Sequence, residues 1–153
     1  MSSNGFYQRL AEQAESLLCA DDPVVTTLAN ASALIFESLD AVNWAGFYLY
    51  QSSELVLGPF QGKTACTHIA IGRGVCGNAA KKDQVERVQD VYAYPGHIAC
   101  DSASRSEIVL PVHLDGRLFG VLDIDSPAEG RFDIEDEEGL RKFVYILEEK
   151  LKS

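Results

Sequence analysis

Glu107-Ile108-Val109-Leu110-Pro111-Val112-His113-Leu114-Asp115-Gly116-Arg117-Leu118-Phe119-Gly120-Val121-Leu122-Asp123-Ile124-Asp125 is the stretch that decides the fold. Ile108, Leu110, Val112 and Leu114 alternate along its first half, and Leu118, Gly120, Leu122 and Ile124 along its second. Period-two alternation of this kind marks strands with one buried face. Folding about a tight loop at Asp115-Gly116-Arg117 pairs Ile108 with Ile124, Leu110 with Leu122, Val112 with Gly120 and Leu114 with Leu118. All eight then share a face, and a slip of one residue would set Asp123 against Ile108. In this register Glu107 falls opposite Asp125, with Cβ atoms ~4.5–5.5 Å apart. Asp123 lies on the same face, ~6.8 Å back along the strand. Three carboxylates therefore converge at one end of the hairpin. A solvated strand end is the plain account of them; like charges set directly opposite, however, destabilise a sheet unless a cation or a shared proton offsets them.

Working outward, residues 134–151 form a helix with a stripe of Leu140, Phe143, Val144, Leu147 and Leu151, capped by Asp133 and acidic in its first turn. Before the hairpin, residues 62–106 are rich in Gly and Cys and weak in periodicity, which predicts loop with one short helix over 74–82. Strand-like runs over 44–50 and 54–60 flank the polar Gln51-Ser52-Ser53. At the start, residues 3–19 predict a helix using Phe6, Leu10, Leu17 and Leu18. A second helix follows Asp22-Pro23, with Asp as cap and Pro in the first turn, and carries Val24, Leu28, Ala31, Ile35 and Leu39. Helix, helix, hairpin, loops, hairpin, helix is an α+β order: one domain over residues 1–153, a central antiparallel sheet with helices on one face and a loop-rich pocket on the other.

At 153 residues with 46% hydrophobic and 24% charged side chains, the composition is that of one folded domain. Acidic residues outnumber basic ones by 23 to 13, a formal charge of −10 that disfavours nucleic acid and anionic membrane surfaces. No basic and apolar leader opens the sequence, so a cytoplasmic protein with reduced thiols is expected.

Of four cysteines, Cys19 falls in the first predicted helix and is expected to be a small buried hydrophobe. Cys66, Cys76 and Cys100 stand among flexible residues, which suits a thiol that attacks and is then attacked; unrelated buried cysteines are the equal alternative. Cys66-Thr67-His68 and His97-Ile98-Ala99-Cys100 offer zinc ligands, but no CxxC pair is present and no metal is expected. His68 is better placed as an outward residue of a short strand. Gly72-Arg73-Gly74-Val75-Cys76-Gly77 matches a dinucleotide pattern, yet Lys81-Lys82-Asp83-Gln84 ends the helix too soon for a Rossmann unit. The Asn30-Ala31-Ser32 sequon lies inside a helix and carries no meaning. Trp44, Phe47, Tyr48 and Tyr50 are read first as core, with Trp44 also able to wall a small pocket.

Asn43-Trp44-Ala45-Gly46-Phe47-Tyr48-Leu49, the Gly-rich stretch 71–79, Ser106-Glu107-Ile108-Val109-Leu110-Pro111 and Gly120-Val121-Leu122-Asp123-Ile124-Asp125-Ser126 resemble a GAF domain. More narrowly, they resemble the free methionine-(R)-sulfoxide reductases. That resemblance implies Cys100 as the attacking thiol and Cys66 and Cys76 as resolving thiols. It also implies that Glu107, Asp123 and Asp125 bind the substrate and that Trp44 shapes the pocket for its methyl end; Tyr48 is counted with them as a substrate-binding residue. A sulfoxide oxygen leaves only when protonated, and Glu107 and Asp125, as a coupled pair whose pKa the neighbouring carboxylates raise, are the candidate proton donors. Free methionine sulfoxide and thioredoxin, or another thiol reductant, are the implied partners. No resident cofactor is implied, and a homodimer is compatible with it. The rival expectations are a sensing GAF module without turnover, which would normally adjoin an output domain, and a zinc-stabilised interaction domain.

Overall fold

Six strands form one antiparallel sheet, seen in a computed structural model that describes residues 3–96 and 103–152. Along the chain run α1 (Ser3–Leu17), α2 (Val24–Ser38), β1 (Trp44–Gln51), β2 (Glu54–Gly62), β3 (His68–Ala70), α3 (Gly74–Lys82), β4 (Glu86–Val88), β5 (Ser106–Leu114), β6 (Arg117–Ser126) and α4 (Ile134–Leu151). Strand order is β3-β2-β1-β6-β5-β4, so the two hairpins meet along β1 and β6 at the centre.

Alternation along these strands separates two chemistries. Ala45, Phe47, Ile108, Leu110, Val112, Leu122 and Ile124 face α1, α2 and α4 and build the larger core with Leu10, Leu28, Ile35, Phe143 and Leu147. The opposite face presents Trp44, Tyr48, Val109 and Val121, covered by Val75, Cys76 and Ala79 of α3. Both faces are thus buried, and the loop-rich face carries a helix of its own. The α4 stripe is buried as expected, and Asp133 caps the helix in a capping box with Asp136. Among the described residues, no helix is long and apolar enough to cross a membrane.

The β5–β6 pairing follows the expected register from Glu107↔Asp125 to Val112↔Gly120, then departs from it. A bulge at Val112/His113 brings His113 opposite Leu118 and Leu114 opposite Arg117. The loop is therefore two residues, Asp115 and Gly116 at φ 54° and 75°, because Asp-Gly accepts the paired left-handed conformations of a type I′ turn and a three-residue loop is not needed. At the bulge, the His113 backbone N–H donates to Glu148 of α4 at 2.6 Å.

Three other expectations are corrected. Pro23 holds the N-cap position of α2 with extended ψ 150°, and among the described residues no side chain caps the helix, so Asp22 is not its cap. Instead the Asp22 N–H closes a turn onto the Cys19 carbonyl. Cys19 lies beyond the end of α1 in that turn and is exposed, and Leu17 is also exposed because it falls to the side of the stripe that Tyr7, Leu10, Ala14 and Leu18 keep on the core. Finally, β4 lies within the stretch expected to be loop; three residues are too few for a periodicity to register, and pairing with β5 alone defines it.

Candidate active site

Sheet register assembles the acidic cluster. Glu107 of β5 pairs with Asp125 of β6, Asp125 pairs with Trp44 of β1, and Asp123 pairs with Gly46. All therefore share the face turned toward α3. Glu107 is 8% exposed and Asp123 5%, while Asp125 is half-buried. Burial, and then the charges of Asp123 and Asp125, push the Glu107 carboxyl well above the usual carboxylate range. A proton is accordingly retained within the cluster under conditions where an exposed glutamate has lost its own.

Aromatic side chains wall one side. The Trp44 ring stacks against Phe60 at 5.2 Å and Tyr48 at 6.0 Å between centroids. Gly46 permits this, because a Cβ there would come within 2.2 Å of the Phe60 Cβ. The same aromatics hold the segment between β2 and β3. Trp44 Nε1 donates to the Lys63 carbonyl at 3.0 Å, and Tyr48 Oη donates to the Cys66 carbonyl at 2.8 Å. Desolvation, and then the nearby Asp123 charge, raise the Tyr48 hydroxyl, which keeps it a donor.

The thiols occupy different settings. Cys66 is half-buried, packs against the same apolar cluster as Trp44 and Tyr48, and is disulfide-bonded. Cys76, in the first turn of α3, is a free thiol whose Sγ lies 3.9 Å from Glu107 Oε2. Burial first, and then the surrounding carboxylates, raise its pKa well above the ordinary thiol value, so the thiolate is disfavoured. Cys100 and His97 lie outside the described residues. Trp44, Tyr48, Cys76, Glu107 and Asp123 are brought together on one face, with Asp125 and Cys66 at its margin. His68 is exposed and pairs with Glu54 at 3.2 Å, the outward strand position expected of it.

A short polar chain was not foreseen from sequence. Tyr94 Oη donates to Glu86 Oε1 at 2.7 Å and accepts from Asn78 Nδ2 at 3.0 Å, linking α3, β4 and the chain beyond the 3₁₀ turn at Val91–Ala93. Burial, and then the bond to Glu86, push the Tyr94 hydroxyl up to about 12.

The Glu107 shift has a thermodynamic consequence. Its folded-state pKa exceeds its unfolded value, so folding is favoured most while the carboxyl is protonated in both states, and stability falls as pH rises from the ordinary carboxylate range toward the raised value. Urea unfolding between about pH 5 and pH 8 should show the parent losing stability relative to Glu107→Gln. An unchanged difference across that range would mean that Glu107 titrates normally.

Residues 5–149 match the GAF domain family. The chain is 52% identical over 151 residues to the free methionine-R-sulfoxide reductase of Escherichia coli (strain K12), covering 99% of this chain and 92% of that one. Superposition on the reduced-form structure of fRMsr of Staphylococcus aureus gives a TM-score of 0.92 at 49% identity, over 95% of this chain and 94% of the other. The free methionine-R-sulfoxide reductase of Neisseria meningitidis, solved in complex with its substrate, gives 0.93 at 46% identity, over 99% and 91%.

Proposed function

The chain belongs to the GAF domain family, in the group that holds the free methionine-R-sulfoxide reductases, and on that premise we propose that it reduces free L-methionine-(R)-sulfoxide to L-methionine. The observation that carries this is the acidic cluster: Glu107 opposite Asp125, Asp123 beside them, a retained proton, and an aromatic wall with a cysteine-bearing segment tied to it. A free amino acid brings an ammonium group, the cation that clustered carboxylates favour, and among the described residues Asp123 Oδ1 meets no hydrogen-bond partner. Trp44 offers an apolar face to the substrate's methyl end.

Two half-steps balance the reaction. The Cys100 thiolate attacks the sulfoxide sulfur while the Glu107–Asp125 pair protonates the oxygen, giving methionine and a sulfenic acid on Cys100. Cys66 then displaces hydroxide from that sulfenic acid, forming a disulfide and water. Thioredoxin or another dithiol returns both cysteines to thiols. Cys66 is favoured over Cys76 for the second step because it is oxidised in this structure, whereas Cys76 is buried among carboxylates that suppress its thiolate.

The test is to supply separated R and S epimers, free and within a peptide, with a thiol reductant and to quantify methionine. Turnover of the free R epimer alone is expected; turnover only of peptide-bound sulfoxide would overturn the proposal. In Cys66→Ser, one round of methionine release should survive while thioredoxin-driven cycling falls; unchanged cycling would remove Cys66 from the route. Asp123→Asn should raise the half-saturating substrate concentration by roughly 10–100-fold, the usual worth of a hydrogen bond to a charged group, with a smaller change at saturation. An effect confined to the saturated rate would move Asp123 from binding to chemistry.

A further inference from the structure

No step of the proposed reaction uses Cys76, yet its thiol stands among the carboxylates. Cys76 Sγ and one carboxylate oxygen each from Glu107 and Asp123 lie within 4.8 Å of one another, and all three residues are buried. The Sγ–Oε2 separation to Glu107 is 3.9 Å. Metal–sulfur and metal–oxygen bonds of ~2.3 and ~2.0 Å at a tetrahedral angle place the two ligand atoms ~3.5 Å apart, so a small inward shift suffices. Asp123 is only 5% exposed, and among the described residues its Oδ1 has no hydrogen-bond partner. An ammonium group needs oxygen acceptors alone. A sulfur donor placed among them is what borderline-soft cations select.

We propose that, in the absence of substrate, Cys76, Glu107 and Asp123 bind a thiophilic divalent cation of the zinc class, and that the bound ion excludes the substrate ammonium. Coordination replaces the Cys76 thiol proton, and the proton held on Glu107, by bonds to the metal, and both protons pass to solvent. Three protein ligands leave a fourth position for water, and the ion balances anionic side chains that otherwise repel one another. The exclusion rests on the substrate proposed above; the ion site does not.

Cadmium reads the site directly, because its bond to thiolate gives an ultraviolet charge-transfer band. Titration of the Cys19→Ser protein, compared with the same protein carrying Cys76→Ala, should show a difference band that saturates at one ion per chain. Asp123→Asn should weaken that binding at least tenfold. Absence of the band, or its persistence in Cys76→Ala, would overturn the site. For exclusion, single-turnover methionine release by pre-reduced protein without added thiol is measured over a range of substrate. Zinc at ten times its dissociation constant should raise the half-saturating concentration about tenfold, and the rise should vanish in Cys76→Ala. A rise that persists in Cys76→Ala, or zinc binding with no rise, would overturn the exclusion. Zinc-free protein that releases no methionine would sink the reductase proposal alone, since the cadmium band is read without substrate.

Discussion

Cys100→Ser should release no methionine, even in a single encounter with an equivalent of the R sulfoxide. The thiolate supplies the electron pair that replaces the sulfur–oxygen bond, and a serine hydroxyl at neutral pH is neither ionised nor polarisable enough to do so. Of the other thiols, Cys76 is held protonated by burial and neighbouring carboxylates, and Cys19 lies exposed in the turn after α1. Cys76, although in the site, therefore offers no thiolate, and Cys19 stands apart from the acidic cluster. Loss to the uncatalysed background, with substrate binding retained, is the expected outcome from quenched-flow measurement with methionine quantified by amino-acid analysis. One equivalent of methionine from Cys100→Ser would assign the attack to a different sulfur.

The second large effect is expected at the paired carboxyls. Glu107→Gln and Asp125→Asn keep the shape and hydrogen-bonding reach of each side chain but remove a transferable proton. Each should slow the chemical step by ~10²–10⁴-fold, the range that general acid catalysis contributes. The pH profile gives the sign. The Glu107 pKa is raised by burial and by the Asp123 and Asp125 charges, so the donor is loaded at low pH and empties as pH climbs through the raised value. Single-turnover rates in the parent should therefore fall along an alkaline limb that belongs to the pair as a whole. Glu107→Gln should flatten that limb as well as lower the rate. Near-parental rates in both variants would exclude proton transfer from this pair.

The acidic part of this site could be placed from the chain alone because β5 and β6 are long, alternate along most of their length and are joined by a tight loop at Asp115-Gly116. Register then fixes Glu107 opposite Asp125 without reference to any other element, and the structure has the same pairing. The bulge at Val112/His113 was not legible, since it depends on Glu148 from α4, 35 residues away, meeting the freed His113 N–H. Trp44 and Tyr48 were read first as core. They are core, but their polar atoms also tie down the Cys66 segment, a second role that only tertiary contact reveals. The placement of Cys76 beside Glu107 was hidden for a similar reason. Nothing in the spacing of 76 and 107 indicates that α3 crosses the open face of β5, whereas the stripe of α4 announces its partner at once. Cys19 shows the opposite failure: a generic preference of cysteine for burial was applied where the helix had already ended.

The most direct measurement counts electrons. Pre-reduced protein, carrying all four cysteines as thiols, is mixed with excess free L-methionine-(R)-sulfoxide and no added reductant. Methionine and remaining thiols are then counted together. One methionine per chain with the loss of two thiols, and neither with the S epimer, is the predicted result. Methionine formed without thiol loss, or thiol loss without methionine, would contradict a reductase that draws both electrons from its own cysteines.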